Sequence, residues 1–181
     1  FETTTPTIAA AILEADARRL QNFSVYCAHK TTPPALRAIA NDPETTIDGF
    51  ILPGHVATIT GLAPFGFLVD EFKTPGVVTG FEPVDILQGI CMLVQMVVEG
   101  QPAIDNAYRR GVNADGNPVA RQLVEQVFEP CDTTWRGLGS IAASGLAIRP
   151  EFSRFDARVR FDVPVEATVE PRGCRCGDVL R

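Results

Sequence analysis

The chain has 181 residues, 45% of them hydrophobic and 21% charged, with a formal net charge of −6. This length supports one good core with a small appendage, and the composition is too apolar for a disordered chain. Its only lysines are Lys30 and Lys73 and its arginines are scattered, so it lacks the basic surface of a general nucleic-acid binder.

In chain order, FETTTP places Phe1 at the end of a strand, with Thr5 capping a helix over 7–21 and Pro6 at its first position. Ile8, Ile12, Leu13 and Leu20 recur at helical spacing. Residues 23–27 read as a strand ending in Ala28-His29-Lys30, after which Pro33-Pro34 starts a helix through Ile39. Residues 47–52 form the next strand, closed by Pro53-Gly54-His55, and Val56, Ile59 and Leu62 give a short helix stopped at Gly61. After an aromatic stretch over 63–75, Val77-Val78-Thr79 is a buried strand that turns at Gly80-Phe81-Glu82-Pro83 into a long apolar helix. That helix, interrupted by Gln88, Gly89 and Gln95, is a buried helix and not a membrane span.

Beyond Gly100, residues 104–112 and 118–128 read as two helices split by a turn. Strands are expected at 140–142 and 146–148 and a short helix or turn at 150–155, with an irregular connector over 157–181. Strand-end corners at regular intervals, each followed by helix or turn, predict an α/β fold: a mostly parallel, Rossmann-like three-layer sheet with helices on both faces. The expected organisation is one lobe over 1–156 followed by the connector. The chain opens at Phe1 without Met and stops soon after Cys176, so both ends are expected to be cut from something longer. Five cysteines, widely spaced except for Cys174 and Cys176, do not make a secreted disulfide framework and point to the cytosol.

In open α/β sheets, ligands bind at the carboxyl ends of strands. Glu82 is there a candidate acid, base or positioning carboxylate, or alternatively a partner of the helix dipole. His55 ends a strand and could shuttle protons or bind metal, or it could be a structural turn residue. Glu2, Thr3, Thr4 and Thr5 form a polar corner able to hold an anion, with plain capping as the other reading. Cys27 lies two residues before His29, so a His-assisted thiolate competes with a small buried cysteine. Cys174 and Cys176 could bind a metal or an iron–sulfur cluster, but four ligands are normal and this pair supplies two, a weak signal taken alone. The dinucleotide fingerprint, the Walker motif, the G-x-S-x-G elbow and H-E-x-x-H are absent.

The strings FETTTPT, HKTTPPAL, IDGFILPGHVATITG, VVTGFEPVDILQGICMLVQ, WRGLGSIAASGL, RFDA and CRCGDVLR resemble, in this order, the HypD family of NiFe-hydrogenase maturation proteins. The resemblance covers nearly the whole chain. It implies a cytosolic accessory protein that works with a HypC-like chaperone and a HypE-like cyanide donor, itself supplied through HypF, to scaffold an Fe(CN)2CO unit. It also implies two similar α/β lobes facing a cleft and a segment that holds a 4Fe–4S cluster. By that likeness Glu2, Thr3, Thr4, His55, Glu82 and Asp85 would line the cleft, and Cys176 would be a cluster ligand. The family's CGGHTH and GPGCPVC motifs, and the later cysteines that complete the cluster, are not in this sequence, and Ala107 and Gly111 interrupt its Asn-Gln-Tyr-Arg-Arg-Val-Val run. The chain is therefore expected to represent the middle and second half of such a protein and to bind no cluster or iron by itself. Two other readings stand beside it: a small-molecule enzyme using His55 and Glu82 as an acid/base pair, and a domain that only docks HypC.

Overall fold

A computed structural model describes residues 2–161 and 171–179. The expected strand end at Phe1 and much of the expected 157–181 connector lie outside the described residues. The chain divides into two compact units, one of residues 1–34 with 120–180 and one of residues 35–119.

The second unit is built on a parallel sheet of β2 (Phe50–Pro53), β3 (Gly76–Thr79) and β4 (Ile104–Asn106), with β3 in the centre and every residue of it buried. Full burial accounts for the apolar Val77-Val78 at its middle. Phe50, Leu52 and Val78 share one face of the sheet and form a core with Val56 and Ala57 of α3 (Gly54–Thr60), Leu68 of α4 (Phe67–Asp70) and Phe65. Leu36 and Ile39 of α2 (Thr32–Ala40) pack against this core. The opposite face, with Val77 and Thr79, lies under α5 (Pro83–Glu99) at Gly89, where a Cβ would sit 2.3 Å from Thr79 Cγ2. Helices on both faces of a parallel sheet give the expected α/β, Rossmann-like arrangement. Pro83 starts α5, and Gly100 at φ 63° ends it in the left-handed conformation that glycine adopts without steric cost; contrary to the expectation of a buried helix, only Asp85 and Gly89 of α5 are buried, because one side of it meets the sheet.

The first unit carries an antiparallel sheet in the order β1 (His29–Lys30), β6 (Gly139–Ile148), β5 (Phe128–Trp135). Its core joins Ala9, Ile12 and Ala15 of α1 (Thr5–Ala17) to Cys27, Val127, Phe128, Ile148 and Phe155. Leu123 and Val124 of α6 (Pro118–Val127) and Phe152 of the 3-10 turn Pro150–Phe155 close it. Near the β5–β6 register shift, Ala143 takes φ 51° while its N–H donates to Asp132 Oδ1 at 2.9 Å.

Several elements differ from expectation. Residues 104–112 are not a helix: Ile104–Asn106 pairs with β3, and the following turn is wound by Asn106. The Asn106 side chain accepts from Tyr108 N–H at 2.8 Å and donates to Val112 C=O at 2.9 Å. Such Asx geometry competes with helix formation. The expected strand at 23–27 is reduced to one bridge, Val25 to Asp156. The two short strands after residue 139 are one long β6, and β5 was not anticipated at all. Helix α1 starts at Thr5 with Thr4 as its N-cap, one position earlier than the capping pattern suggests.

Candidate functional site

In the second unit, the strand-end corners of the sequence become real corners. His55 follows Gly54 after the end of β2 and sits in the first turn of α3, whereas Glu82 follows Gly80 and Phe81 after the end of β3 and is the N-cap of α5. Because β2 and β3 are adjacent and parallel, both corners lie at the same end of the sheet. Close approach at that end requires glycine. A Cβ on Gly54 would fall 2.2 Å from Thr79 C=O, and one on Gly80 would fall 2.2 Å from Asp85 Oδ2.

Asp85 is the third residue of α5 and is 4% exposed. It stands three residues after the N-cap Glu82, the position of the acidic residue in a capping box. Arg110, in the turn after β4, grips the Asp85 carboxylate with two bonds, Nη1 to Oδ1 at 2.7 Å and Nη2 to Oδ2 at 2.6 Å. A third bond runs from Arg110 Nη2 to Glu82 Oε2 at 2.9 Å. Two parallel N–H donors on one carboxylate are a strong, geometrically specific pairing. The guanidinium holds the Asp85 carboxyl below the usual carboxylate range, by hydrogen bonding first and by charge second, against the opposing effect of burial. Asp85 in turn pushes Arg110 up, so the guanidinium is permanently charged.

Two aromatic rings connect this ion cluster to the histidine. Tyr108 stacks under the Arg110 guanidinium at 4.7 Å and lies 6.4 Å from the His55 ring. Phe81, 68% exposed, meets His55 edge-on at 4.6 Å. Thr58 of α3 donates to the Gly111 carbonyl at 3.2 Å, tying the His55 helix to the Arg110 turn. The arrangement presents an exposed imidazole and an exposed carboxylate on one aromatic-lined rim, braced by the pair of buried Asp85 and exposed Arg110. Tyr108 and Arg110 were not recognised from the sequence as site residues. The signal was the same as for the other corners, but reading 104–112 as a helix concealed that β4 also ends there.

The remaining candidates belong to the first unit. Glu2 is buried, and its carboxylate accepts from the Thr32 backbone N–H at 2.5 Å and from the Thr32 hydroxyl at 3.1 Å. It therefore serves the N-terminus of α2, a favourable place for a negative charge. Thr3 and Thr4 are exposed. Cys27 is a buried thiol that donates to Leu146 C=O at 3.0 Å and lies 3.5 Å from His29 Nδ1. Burial pushes its pKa up and that of His29 down, so the environment favours the neutral thiol over the thiolate. Cys176 starts a single-turn helix, Cys176–Val179, against the tip of the β5–β6 hairpin: a Cβ on Gly137, at φ 79°, would lie 3.0 Å from Cys176 Cβ. Among the described residues no three His, Cys, Asp or Glu side chains gather so as to hold a metal ion. A 4Fe–4S cluster normally takes four thiolates, more than Cys176 by itself could supply. Among the described residues no helix is long and apolar enough to cross a membrane.

Comparison with known proteins covers the chain over its full length. The HypD model, described as the hydrogenase formation hypA family, matches residues 1–181. The chain is similar to the hydrogenase maturation factor HypD2 of Bradyrhizobium diazoefficiens, at 44% identity over 188 residues, covering 100% of this chain and 50% of that protein. Its similarity to HypD of Escherichia coli is 44% over 184 residues, covering 99% and 48% of the two chains. With the hydrogenase expression/formation protein HupD of Azotobacter chroococcum it shares 43% over 187 residues, covering 100% and 49%. The chain thus spans about half the length of the curated relatives it matches. On the full-length family match and these identities, the chain belongs to the HypD family of hydrogenase formation proteins.

Proposed function

We propose that the chain takes part in NiFe-hydrogenase maturation as a portion of a HypD protein, its rim of His55, Phe81, Glu82, Asp85, Tyr108 and Arg110 helping to scaffold the Fe(CN)2CO unit. The observation that carries this reading is the meeting of three strand-end corners, after β2, β3 and β4, around Tyr108 and Arg110. The family supplies the process, and the relatives' names refer to hydrogenase maturation or formation. In this reading His55 and Glu82 face the incoming groups, while Asp85 holds Arg110 and Arg110 orients Glu82. A HypC-like chaperone and a HypE-like cyanide donor are the partners, and the cytosol is the compartment. Cys176 donates one thiolate to a 4Fe–4S cluster whose other ligands come from outside the described residues. Glu2, Thr3 and Thr4 enter the proposal through the family likeness, with Glu2 also capping α2.

An enzyme with a His55–Glu82 acid/base pair has less support, because the partner of the Glu82 carboxylate is Arg110. The test introduces Glu82→Gln and His55→Ala separately into the complete protein, in cells lacking the native copy. Hydrogenase activity and co-purification of HypC are then measured. The expected result is loss of hydrogenase activity with HypC binding retained. Retention of both properties would remove the rim from the process, and loss of both would favour a domain that only docks HypC.

A further inference from the structure

Tyr108 is held at every polar atom but one. Its backbone N–H donates to Asn106 Oδ1 at 2.8 Å, and its C=O accepts from the N–H groups of Gly111 at 3.0 Å and Val112 at 2.9 Å. The ring is held as firmly, by the corners that follow all three parallel strands. A Cβ on Gly54 would fall 2.8 Å from Tyr108 Cδ1, one on Gly80 2.9 Å from Cε2, and one on Gly111 2.6 Å from Cε1. The Arg110 guanidinium lies 4.7 Å from the ring centre, and the His55 ring is 6.4 Å away.

The phenol hydroxyl is the exception. It bonds no protein group among the described residues, and it is not sealed in: the buried side-chain atoms without a partner there are Thr31 Oγ1 and Thr45 Oγ1. The closest glycine contacts are with ring carbons, so the packing makes no use of the oxygen. A phenylalanine would fill the same seat. A tyrosine O–H on a ring this firmly held is a donor fixed in place before any ligand arrives, so little freedom is lost when an acceptor binds to it.

We infer that the Tyr108 hydroxyl is the hydrogen-bond donor that holds the acceptor end of the group taken up at the rim. The inference rests on the reading of the rim proposed above. It narrows the ligand to a group with an exposed lone pair, the class to which the nitrogen end of a metal-bound cyanide belongs.

Tyr108→Phe removes the oxygen alone. It is placed in the complete protein, in cells lacking the native copy, beside Glu82→Gln. The rate at which hydrogenase activity appears is measured, together with the melting temperature of each purified protein. Tyr108→Phe is expected to slow that rate about tenfold to a hundredfold, as for one lost hydrogen bond to a charged group, and to leave the melting temperature unchanged. An unchanged rate in Tyr108→Phe beside a slowed Glu82→Gln would overturn the inference and leave the reading of the rim standing. Unchanged rates in both variants would overturn both. A rate that falls together with the melting temperature would also overturn the inference, because the hydroxyl would then serve the fold.

Discussion

Asp85 shows how much of the candidate site depends on one side chain. It is buried at the first turn of α5 and takes two bonds from Arg110. Because its pKa is lowered in the fold, the ionised form stabilises the native state above the unfolded value of about 4, and this contribution is lost as pH falls through the lowered folded value. Asp85→Asn is therefore expected to be less stable than the native chain at pH 7. The difference should shrink steadily as the pH is taken below about 4, which urea denaturation at pH 7, 5 and 3 would measure. A difference that stays constant across that range would mean that the ion pair is not its source. Cys27 gives the contrasting case: the same type of corner, read from sequence as a candidate thiolate, holds a thiol whose burial favours the neutral form.

At the scale of elements, the corners work because glycine lets them come close. In Gly80→Ala the new methyl would meet Asp85 Oδ2 at 2.2 Å and Tyr108 Cε2 at 2.9 Å. Overpacking of this kind costs about 1–3 kcal/mol. Both a lower melting temperature and a weakened Arg110 contact are expected, the latter visible as loss of the pH dependence assigned to Asp85. In the antiparallel unit, fully buried Ser144 accepts from Trp135 Nε1 at 2.9 Å and donates to Ile141 C=O at 2.7 Å. Ser144→Ala leaves the indole N–H without that partner and is expected to cost about 1–3 kcal/mol in chemical denaturation.

These same elements show what the sequence made legible. Pro83 and Gly100 bracketed α5 well, and the all-apolar Val77-Val78 marked a central strand, because each signal is local. The corners at His55 and Glu82 followed from those elements. Strand β4 and the residues it brings, Tyr108 and Arg110, were missed because a strand of three residues has no period, and Asn106 does its work through side-chain bonds to the turn. Strand β5 escaped for another reason. Its burial alternates, but its exposed and half-buried positions hold Glu129, Asp132, Thr133 and Thr134 beside Pro130, which do not read as a strand.

At the scale of the whole molecule, two sheets of opposite character share one chain that passes twice between the units. Each unit has its own core, one around Phe128 and Phe155 and the other around Leu52 and Phe65. Sequence reasoning read the corners as those of a mostly parallel sheet; the corner at His29 lies in the antiparallel one, since strand partners are set by long-range pairing that no local pattern encodes. The division separates the candidate residues as well: His55, Glu82 and Asp85 sit in one unit, and Glu2, Thr3, Thr4 and Cys176 in the other.

The central claim is that His55 and Glu82, joined through Phe81, Tyr108 and Arg110, act as one site in hydrogenase maturation. The most direct measurement is a double-mutant cycle in the complete protein, comparing hydrogenase activity recovered with His55→Ala, Glu82→Gln and both together. Residues that work as a unit are strongly non-additive, so the double variant is expected to be no worse than the more damaging single one. Losses that multiply in the double variant would contradict the account and make His55 and Glu82 independent contributors.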